Sequence, residues 1–229
     1  MQVLHFSDNH GHIPVVPAAI GFDVMVCSGD FGPDRYLRKD EQIRLNQEHR
    51  RPASPFTQQT WLARNENRLR ELARDKPFLY CPGNHDFYGY VVQDMRAMGI
   101  DAHSLVDNVV EVGGLRFTGF PYVPWIGHEW AFSTEAPRML QKVDELVERC
   151  NKESVDVLVA HSPPFGSLDV NGWGQHCGTT ALRNALDYGR FTKPLKAVLC
   201  GHIHQGAGWD KLGETVISNA AVTVHVLPL

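Results

Sequence analysis

The chain alternates short apolar runs with longer segments in which apolar and polar residues mix. The runs are four to six residues long, rich in Val, Leu and Phe, and each stops at Gly, Pro, Ser or His, as buried strands do. They cover Val3 to Phe6, Phe22 to Cys27, Phe78 to Cys81, Val155 to Ala160 and Ala197 to Cys200. Strands that alternate with helices predict an α/β fold.

The segments between the runs carry helical and hairpin patterns. Apolar residues at 140, 143, 146, 147 and 150 recur along one helix face, with a start near Ser133. Weaker helices are predicted over 57–74, 90–98 and 179–188. Residues 109–120, interrupted by Gly113 and Gly114, predict a β-hairpin, and 215–227 predicts one or two more strands. Pro52 to Pro55 is interpreted as a loop insertion, and 1–229 as one domain.

Potential metal ligands stand at the ends of these predicted strands. Ligands of an open α/β sheet bind beyond the carboxyl ends of its strands, so these side chains are expected to share one cleft. Gly29 before Asp30 permits a sharp turn, and an extended His202 to His204 segment would put both imidazoles on one side. The seven candidates are Asp8, His10, Asp30, Asn84, His161, His202 and His204.

All seven candidates are oxygen or imidazole donors, a set that suits hard to borderline divalent metals. Asp30 would have to bridge two ions roughly 3.5–4 Å apart, and a hydroxide held between the ions would attack phosphorus in line. The leaving alkoxide then needs a proton. His85, next to Asn84, is the candidate acid, and Asp86 is the candidate partner that orients its imidazole.

Composition narrows the function classes. The 229 residues are 43% hydrophobic and 21% charged, a globular balance with enough apolar material for a core. A net charge of -4 without a basic stripe argues against a nucleic-acid partner. The five cysteines form no Cys-x-x-Cys pair and are interpreted as reduced, mostly buried side chains. With no apolar run of membrane-spanning length and motifs that start at Asp8, we expect a cytoplasmic protein without a membrane partner.

In their order along the chain, the motifs resemble those of the calcineurin-like metallophosphoesterase superfamily. They are Asp-x-His, Gly-Asp, Gly-Asn-His-Asp, His and Gly-His-x-His, and the match runs from Asp8 to His204. The resemblance implies a four-layer αββα sandwich, in which two mixed β-sheets lie between helical layers and a dinuclear site lies at the strand ends. It also implies divalent ions such as manganese, iron, zinc or nickel. The implied ligands are Asp8, His10, Asp30 and His204 for the first metal, and Asp30, Asn84, His161 and His202 for the second.

The segment around His161 is similar to a narrower branch that includes metallophosphoesterase-domain proteins with cyclic-nucleotide phosphodiesterase activity. The leading hypothesis is therefore a metal-dependent phosphodiesterase that acts on small soluble phosphodiesters, with cyclic nucleotides as one candidate class. A phosphomonoesterase or nuclease of the same superfamily is the first alternative. A protein-binding scaffold that retains the fold is the second. Asp34-Arg35 and Asp86 depart from the pattern of serine/threonine protein phosphatases. Oligomeric state is left open.

Most of the other histidines are interpreted as structural, because nothing in the pattern places them at the strand ends. These are His5, His49, His103, His128 and His225. His12 and His176 are candidates for substrate contact, and three tryptophans in predicted loops are candidates for pocket walls: Trp125, Trp130 and Trp173.

Overall fold

The structure is a computed structural model that describes residues 1–33, 55–87, 89–127 and 130–229, with backbone alone at 55–57. The first of its two large sheets has the strand order β13-β1-β2-β3-β4. Strands β1 to β4 run parallel, and β13 pairs antiparallel with β1. The strands are β1 (Gln2–Phe6), β2 (Val24–Cys27), β3 (Phe78–Tyr80), β4 (Ala102–Ser104) and β13 (Val224–Pro228).

The second sheet has the order β11-β12-β10-β9-β6-β5, with a parallel centre and an antiparallel strand at each edge. Its strands are β5 (Val109–Val112), β6 (Leu115–Phe120), β9 (Val157–Ala160), β10 (Ala197–Cys200), β11 (Gly208–Leu212) and β12 (Thr215–Asn219). A small parallel pair lies outside both sheets, formed by β7 (Val123–Pro124) and β8 (Ser133–Thr134).

Helices cover the outer face of each sheet. Helices α1 (Pro55–Arg64), α2 (Glu66–Ala73) and α3 (Tyr90–Ala97) pack on the first sheet, and α4 (Ala136–Glu153) and α5 (Thr180–Asp187) pack on the second. A third apolar cluster, with Val26 and Leu79 from one sheet and Phe117 and Leu199 from the other, fills the space between the sheets. The four-layer αββα sandwich with two mixed sheets is therefore confirmed.

Alternation along each strand explains these layers, because successive side chains point to opposite faces. In β1, Leu4 and Phe6 join the core under the helices, whereas Val3 joins the core between the sheets. The buried strands are apolar on both faces because both faces are covered.

Two predictions of local structure have different outcomes. The hairpin over 109–120 is confirmed, with Gly113 and Gly114 both at positive φ in its turn. The helical structure predicted over 57–74 is confirmed, but it is divided into α1 and α2 by a break at Asn65 that was not predicted. The backbone of Asn65 is non-helical at φ -111 and ψ 13, and its side-chain amide donates to the carbonyl of Trp61. Residues 52–54 of the predicted loop insertion lie outside the described residues.

The parallel strands β1, β2, β3, β9 and β10 bring their carboxyl ends to the same edge of the sandwich. The predicted ligands follow these five strand ends in loops. Within the ranges that the structure describes, no helix combines the length and hydropathy needed to cross a membrane.

Candidate metal centre

One cluster of donors joins the loop after β1 to the loop after β10. The Nε2 atom of His204 lies 3.4 Å from Oδ1 of Asp8 and 3.3 Å from Nε2 of His10. Asp8 is buried, and its other oxygen accepts the backbone N–H of His202 at 2.8 Å. Burial favours the neutral form of Asp8, but the close approach of the His204 imidazole outweighs burial and lowers the pKa of Asp8. The same approach raises the pKa of His204. These three side chains converge closely enough to hold a cation.

A second cluster joins the loops after β2, β3 and β9. Nε2 of His161 lies 3.0 Å from Oδ1 of Asn84 and 3.4 Å from Oδ2 of Asp30. Nδ1 of His161 is 2.8 Å from the carbonyl oxygen of Ser28, so Nδ1 donates there and Nε2 faces the carboxylate. A carbonyl on the far nitrogen is the usual way in which proteins orient a metal-binding imidazole.

The Asp30 carboxylate lies between the two clusters. It belongs to one group of close donors with Asp8 and His161, and to another with His10 and His85. Burial of Asp30 would raise its pKa, but the neighbouring His161 imidazolium holds that pKa well below its usual range. Burial alone would lower the pKa of His161, but the Asp30 charge outweighs it and raises that pKa to about 9. In the metal-free centre, the buried His161 ring is therefore protonated at neutral pH.

His202 and His204 reach different parts of the centre. The prediction that an extended segment puts both rings on one side is wrong, because His202 has a left-handed backbone (φ 66) and His204 begins a 3₁₀ turn. The His202 ring lies beside His161, with centroids 5.1 Å apart, whereas His204 contacts Asp8 and His10. Burial and the His161 charge lower the pKa of His202 to about 4, so this ring is neutral at ordinary pH.

Four of the predicted ligands have a left-handed backbone. Asp8, His10, Asp30 and His202 all have positive φ, between 44° and 66°. Non-glycine residues rarely adopt this region, and such outliers cluster at functional sites. The turns direct each side chain away from its strand and into the shared cleft.

Gly201 permits the two sheets to approach at the centre. A Cβ atom there would lie 2.0 Å from Oγ of Ser7 and 2.1 Å from Oδ2 of Asp8. Both distances are far below van der Waals contact, so only glycine fits between β10 and the loop after β1.

The Asp86 carboxylate accepts hydrogen bonds from backbone N–H groups at and around Asp30. Its two oxygens accept four backbone N–H groups, those of Asp30 (2.6 Å), Phe31 (3.0 Å), Gly32 (3.3 Å) and Gly83 (2.9 Å). Burial, followed by the Asp30 charge, raises the pKa of Asp86 to about 6. These contacts join the loop after β2 to the loop after β3 around Asp30.

The His85 ring lies at the partly open side of the centre. Its Nε2 is 3.9 Å from Oδ2 of Asp30, and its ring centroid is 4.9 Å from that of His10 and 4.4 Å from that of Trp130. The side chain keeps 20% of its surface exposed. His85 is thus close to the candidate bridging carboxylate and still reachable from solvent, while Trp130 forms one wall beside it.

The donors fit a pair of divalent ions. Oδ1 of Asp8 is buried and has no hydrogen-bond partner among the described residues, although it faces His204. A buried carboxylate oxygen without a hydrogen-bond partner lowers the stability of the fold unless a cation binds it. Carboxylate, amide and imidazole donors without thiolate suit manganese, iron or zinc.

The remaining histidines separate into three groups. His5 is fully buried between Ser28 Oγ (2.9 Å) and Ser218 Oγ (3.0 Å), and Ser218 continues to His225 (2.9 Å). Burial and the neighbouring His225 lower the pKa of His5 to about 3, so His5 serves as a neutral tie between the sheets. His12 is exposed, His103 pairs with Asp101 on the surface, and the predictions for His49 and His128 lie outside the described residues.

Two residues that support the centre were missed. Ser28 orients His161 through its carbonyl, and buried Asn219 donates to the carbonyls of Leu168 and Ile203, at 3.0 Å each. Ser28 precedes the Gly-Asp motif directly, which is a usable signal. Asn219 ends a strand far along the chain, and no sequence pattern connects it to the centre.

The two-sheet sandwich gathers carboxylate and imidazole donors at its strand ends, and comparison with known families assigns the protein to the class of metal-dependent phosphoester hydrolases. The model of the calcineurin-like phosphoesterase family matches residues 1–206, and the chain belongs to this family. Members usually bind a pair of divalent ions, and the side chains above supply candidate ligands for them.

Individual relatives agree with this assignment. The human metallophosphoesterase domain-containing protein 1 is 29% identical over 97% of this chain and 67% of its own length. A UPF0046 protein of Caenorhabditis elegans is 33% identical over 54% of this chain and 42% of its own length. One solved crystal structure superimposes with a TM-score of 0.62, covering 95% of this chain and 89% of its own, at 16% identity. That likeness supports the fold alone.

Proposed function

We propose that this protein is a dinuclear-metal phosphodiesterase that hydrolyses small phosphodiesters. The observation that carries the proposal is the position of Asp30, whose carboxylate is close to donors of both clusters. A phosphodiester needs charge neutralisation at its nonbridging oxygens, a nucleophile and an acid for the leaving alkoxide. The proposed site offers a group for each need.

The proposed ligands are those implied by the family motifs. Asp8, His10 and His204 would hold one ion on one side of Asp30. Asn84, His161 and His202 would hold the second ion on the other side. When bound, such ions neutralise phosphate charge and activate water at neutral pH. Asn84 adds an oxygen without adding charge, which limits the negative charge between the ions.

Three residues are proposed to transfer a proton or to position the metal ligands. His85 is proposed as the acid that protonates the leaving oxygen, because it borders the Asp30 carboxylate and faces the cleft. Asp86 is proposed as a positioning residue that fixes the loops of Asp30 and Asn84 through backbone N–H groups. Ser28 keeps the Nδ1 proton of His161 in place.

Two alternative functions are less well supported. A nuclease would need a surface that binds a phosphate backbone, which the net charge of -4 does not favour. A protein-binding scaffold would not need to keep seven metal-competent side chains at the strand ends. A phosphomonoesterase differs only in substrate preference and is the alternative that the experiment below addresses.

The test combines metal analysis with two substrates that share a leaving group. Protein loaded with Mn²⁺ or Zn²⁺ is assayed on bis(p-nitrophenyl) phosphate and on p-nitrophenyl phosphate, followed by a panel of cyclic nucleotides. A higher kcat/KM for the diester supports the proposal. Preference for the monoester would replace it with a phosphomonoesterase, and absence of turnover with every metal would favour the scaffold.

Replacing His85 by Ala is expected to separate metal binding from turnover. The variant should keep both ions and lose about 10²–10⁴-fold in kcat on a diester with an alkyl leaving group, the usual range for general acid catalysis. With p-nitrophenolate, which leaves without help, the loss should be much smaller. His103→Ala, which removes a half-buried histidine paired with Asp101 far from the proposed ligands in sequence, is the matched control. Equal losses on both leaving groups would exclude His85 as the acid.

Metal affinity is expected to rise with pH. The pKa of His161 is about 9 in the metal-free centre because of Asp30, so a proton must leave before a metal can bind the ring. Below that pKa, each pH unit upward should strengthen binding by at least about tenfold, and more where His204, whose pKa is also raised, must lose its proton as well. Titration calorimetry with Mn²⁺ at pH 6.5, 7.5 and 8.5, in buffers with different ionisation enthalpies, measures both affinity and released protons. An affinity that does not change over this range contradicts the prediction.

A further inference from the structure

A glutamine of α1 lies almost completely buried beside the loops that carry Asp30 and His85. Gln58 keeps 1% of its surface exposed, although its side chain ends in a polar amide. A buried amide lowers the stability of the fold unless its N–H groups and its oxygen are hydrogen-bonded. In Gln58, both ends of the amide are bonded to backbone groups of these loops.

The amide of Gln58 holds the backbone on both sides of Asp86. Its Nε2 donates to the carbonyl oxygen of His85 at 2.9 Å, and its Oε1 accepts the N–H of Phe87 at 3.0 Å. The opposite orientation of the amide would bring oxygen against oxygen and N–H against N–H, so these partners fix which end is which. Gln58 therefore closes a pair of hydrogen bonds around the segment that carries the His85 ring.

The same side chain packs against the loop after β2. Nε2 of Gln58 makes a longer contact, of 3.5 Å, with the carbonyl oxygen of Pro33. A Cβ atom on Gly32 would lie 2.8 Å from Cδ and 2.9 Å from Nε2 of Gln58. Because the amide fits this closely, it holds the backbone around Asp86 at a fixed position relative to the loop of Asp30.

The metal ligands next to this segment have hydrogen bonds of their own. The backbone carbonyl of Asn84 accepts the N–H of Ala131 at 3.2 Å, and the N–H of Asp30 donates to Asp86 at 2.6 Å. The bonds of Gln58 begin one residue after Asn84. Loss of the Gln58 amide is therefore expected to leave these two ligands in place.

We propose that Gln58 is a positioning residue for His85. Its two hydrogen bonds fix the peptide groups that flank Asp86, and thereby the direction in which the His85 ring leaves the backbone. In this direction, Nε2 of His85 lies 3.9 Å from Oδ2 of Asp30 while the ring stays partly exposed to the cleft. An acid must be oriented towards the leaving oxygen, and a displacement of about 1 Å lowers a rate by up to about 10²-fold. The inference rests on the proposed role of His85 and adds the residue that orients it.

The test uses Gln58→Met, which keeps the length of the side chain and removes its donors and its acceptor. Metal-loaded protein is assayed on methyl p-nitrophenyl phosphate, whose p-nitrophenolate leaves without a proton, and on methyl benzyl phosphate, which releases only alkoxides. The variant should lose about 10–10²-fold in kcat on the benzyl ester. On the nitrophenyl ester the loss should stay below about threefold.

Metal content by mass spectrometry should be the same in Gln58→Met as in the unmodified protein. Equal losses on the two esters, or loss of a metal ion, would show that Gln58 supports the centre as a whole. Either result overturns the inference while the phosphodiesterase function stands.

A double-mutant cycle tests whether Gln58 acts through His85. In a His85→Ala background, Gln58→Met should change kcat on the benzyl ester by less than about twofold, because both residues affect the same proton transfer. If the two losses multiply instead, Gln58 acts independently of the His85 ring and the inference fails.

Trp61→Phe is the matched control, because it removes another hydrogen bond that α1 makes to a loop of the centre. Trp61 lies one turn after Gln58, and its Nε1 donates to the carbonyl oxygen of Gly11 at 2.9 Å. Any loss of kcat in this variant should fall equally on the two esters. A loss confined to the benzyl ester would show that loosening of α1, and not the Gln58 amide, affects the acid, which also overturns the inference.

A spectroscopic measurement separates failure of the inference from failure of the proposed function. In metal-free protein labelled with ¹⁵N at its histidine rings, the His85 signals are those that disappear in His85→Ala. Gln58→Met should shift or broaden them, while the signals of His5, which lies between Ser28 and Ser218, stay unchanged. If no diester is hydrolysed, the proposed function fails, and these signals still decide the inference. Unchanged His85 signals overturn it.

Discussion

Asp30→Asn should abolish binding of the metal pair and reduce diester turnover by at least about 10³-fold. An amide keeps the shape of the side chain but offers only one neutral oxygen, which cannot bridge two cations. The substitution also removes the charge that raises the pKa of His161. The buried imidazole can then lose its proton, so the metal-free protein is expected to stay folded.

Metal stoichiometry by mass spectrometry, turnover of bis(p-nitrophenyl) phosphate and circular dichroism test the prediction together. Asp101→Asn, which neutralises an exposed carboxylate paired with His103, is the control. An Asp30→Asn protein that keeps two ions per chain would refute the bridging role. Loss of the fold would show instead that the Asp30 charge is needed before any metal binds.

Gly83→Ala should damage the centre almost as severely, although it changes no ligand. A Cβ atom at this position would lie 2.2 Å from Oδ1 of Asp30 and 2.6 Å from both Cε1 and Nε2 of His161. Relief requires displacement of two side chains that the metals need in place. Overpacking of this kind costs about 1–3 kcal/mol, and a displaced ligand lowers metal affinity further.

Calorimetric melting without metal measures the packing cost of Gly83→Ala, and Mn²⁺ titration measures the affinity. Gly114→Ala is a useful comparison, because Gly114 lies in an open turn with no atom within 4 Å of a Cβ, at φ 80. That control should be destabilised by backbone strain alone and keep its metal affinity. An unchanged Mn²⁺ affinity in Gly83→Ala would mean that the loop after β3 can shift without displacing Asp30 or His161.

The sequence predicted the donors of this centre better than their arrangement. Strand ends marked by short apolar runs brought Asp8, Asp30 and His161 into one cleft, because parallel strands share an edge. The left-handed turn at His202 could not be predicted, since it depends on contact with Asp8 and on the close packing at Gly201. The break at Asn65 was missed for a similar reason, because helix propensity is weak beside a competing side-chain hydrogen bond.

The role of Asp86 shows the same limit. Its place next to His85 predicts a partnership between the two side chains, but gives no sign that its carboxylate also accepts backbone N–H groups of two separate loops. Adjacency in sequence says little about direction once the backbone turns sharply. Contacts with backbone atoms leave no signature in residue types, so such a role becomes visible only in three dimensions.

The split of the proposed ligands between the two sheets gives the metals a mechanical role. Asp8 and Asp30 follow strands of the first sheet, whereas His161 and His204 follow strands of the second. The two sheets are also joined by apolar contacts, by the buried hydrogen bonds of His5 and by backbone hydrogen bonds such as that from Gly119 to Leu105 (2.9 Å). A bound pair of ions would link the two sheets through their ligands. Any sliding of one sheet over the other would then break metal coordination. Catalytic competence and the alignment of the two halves of the sandwich would then be lost together.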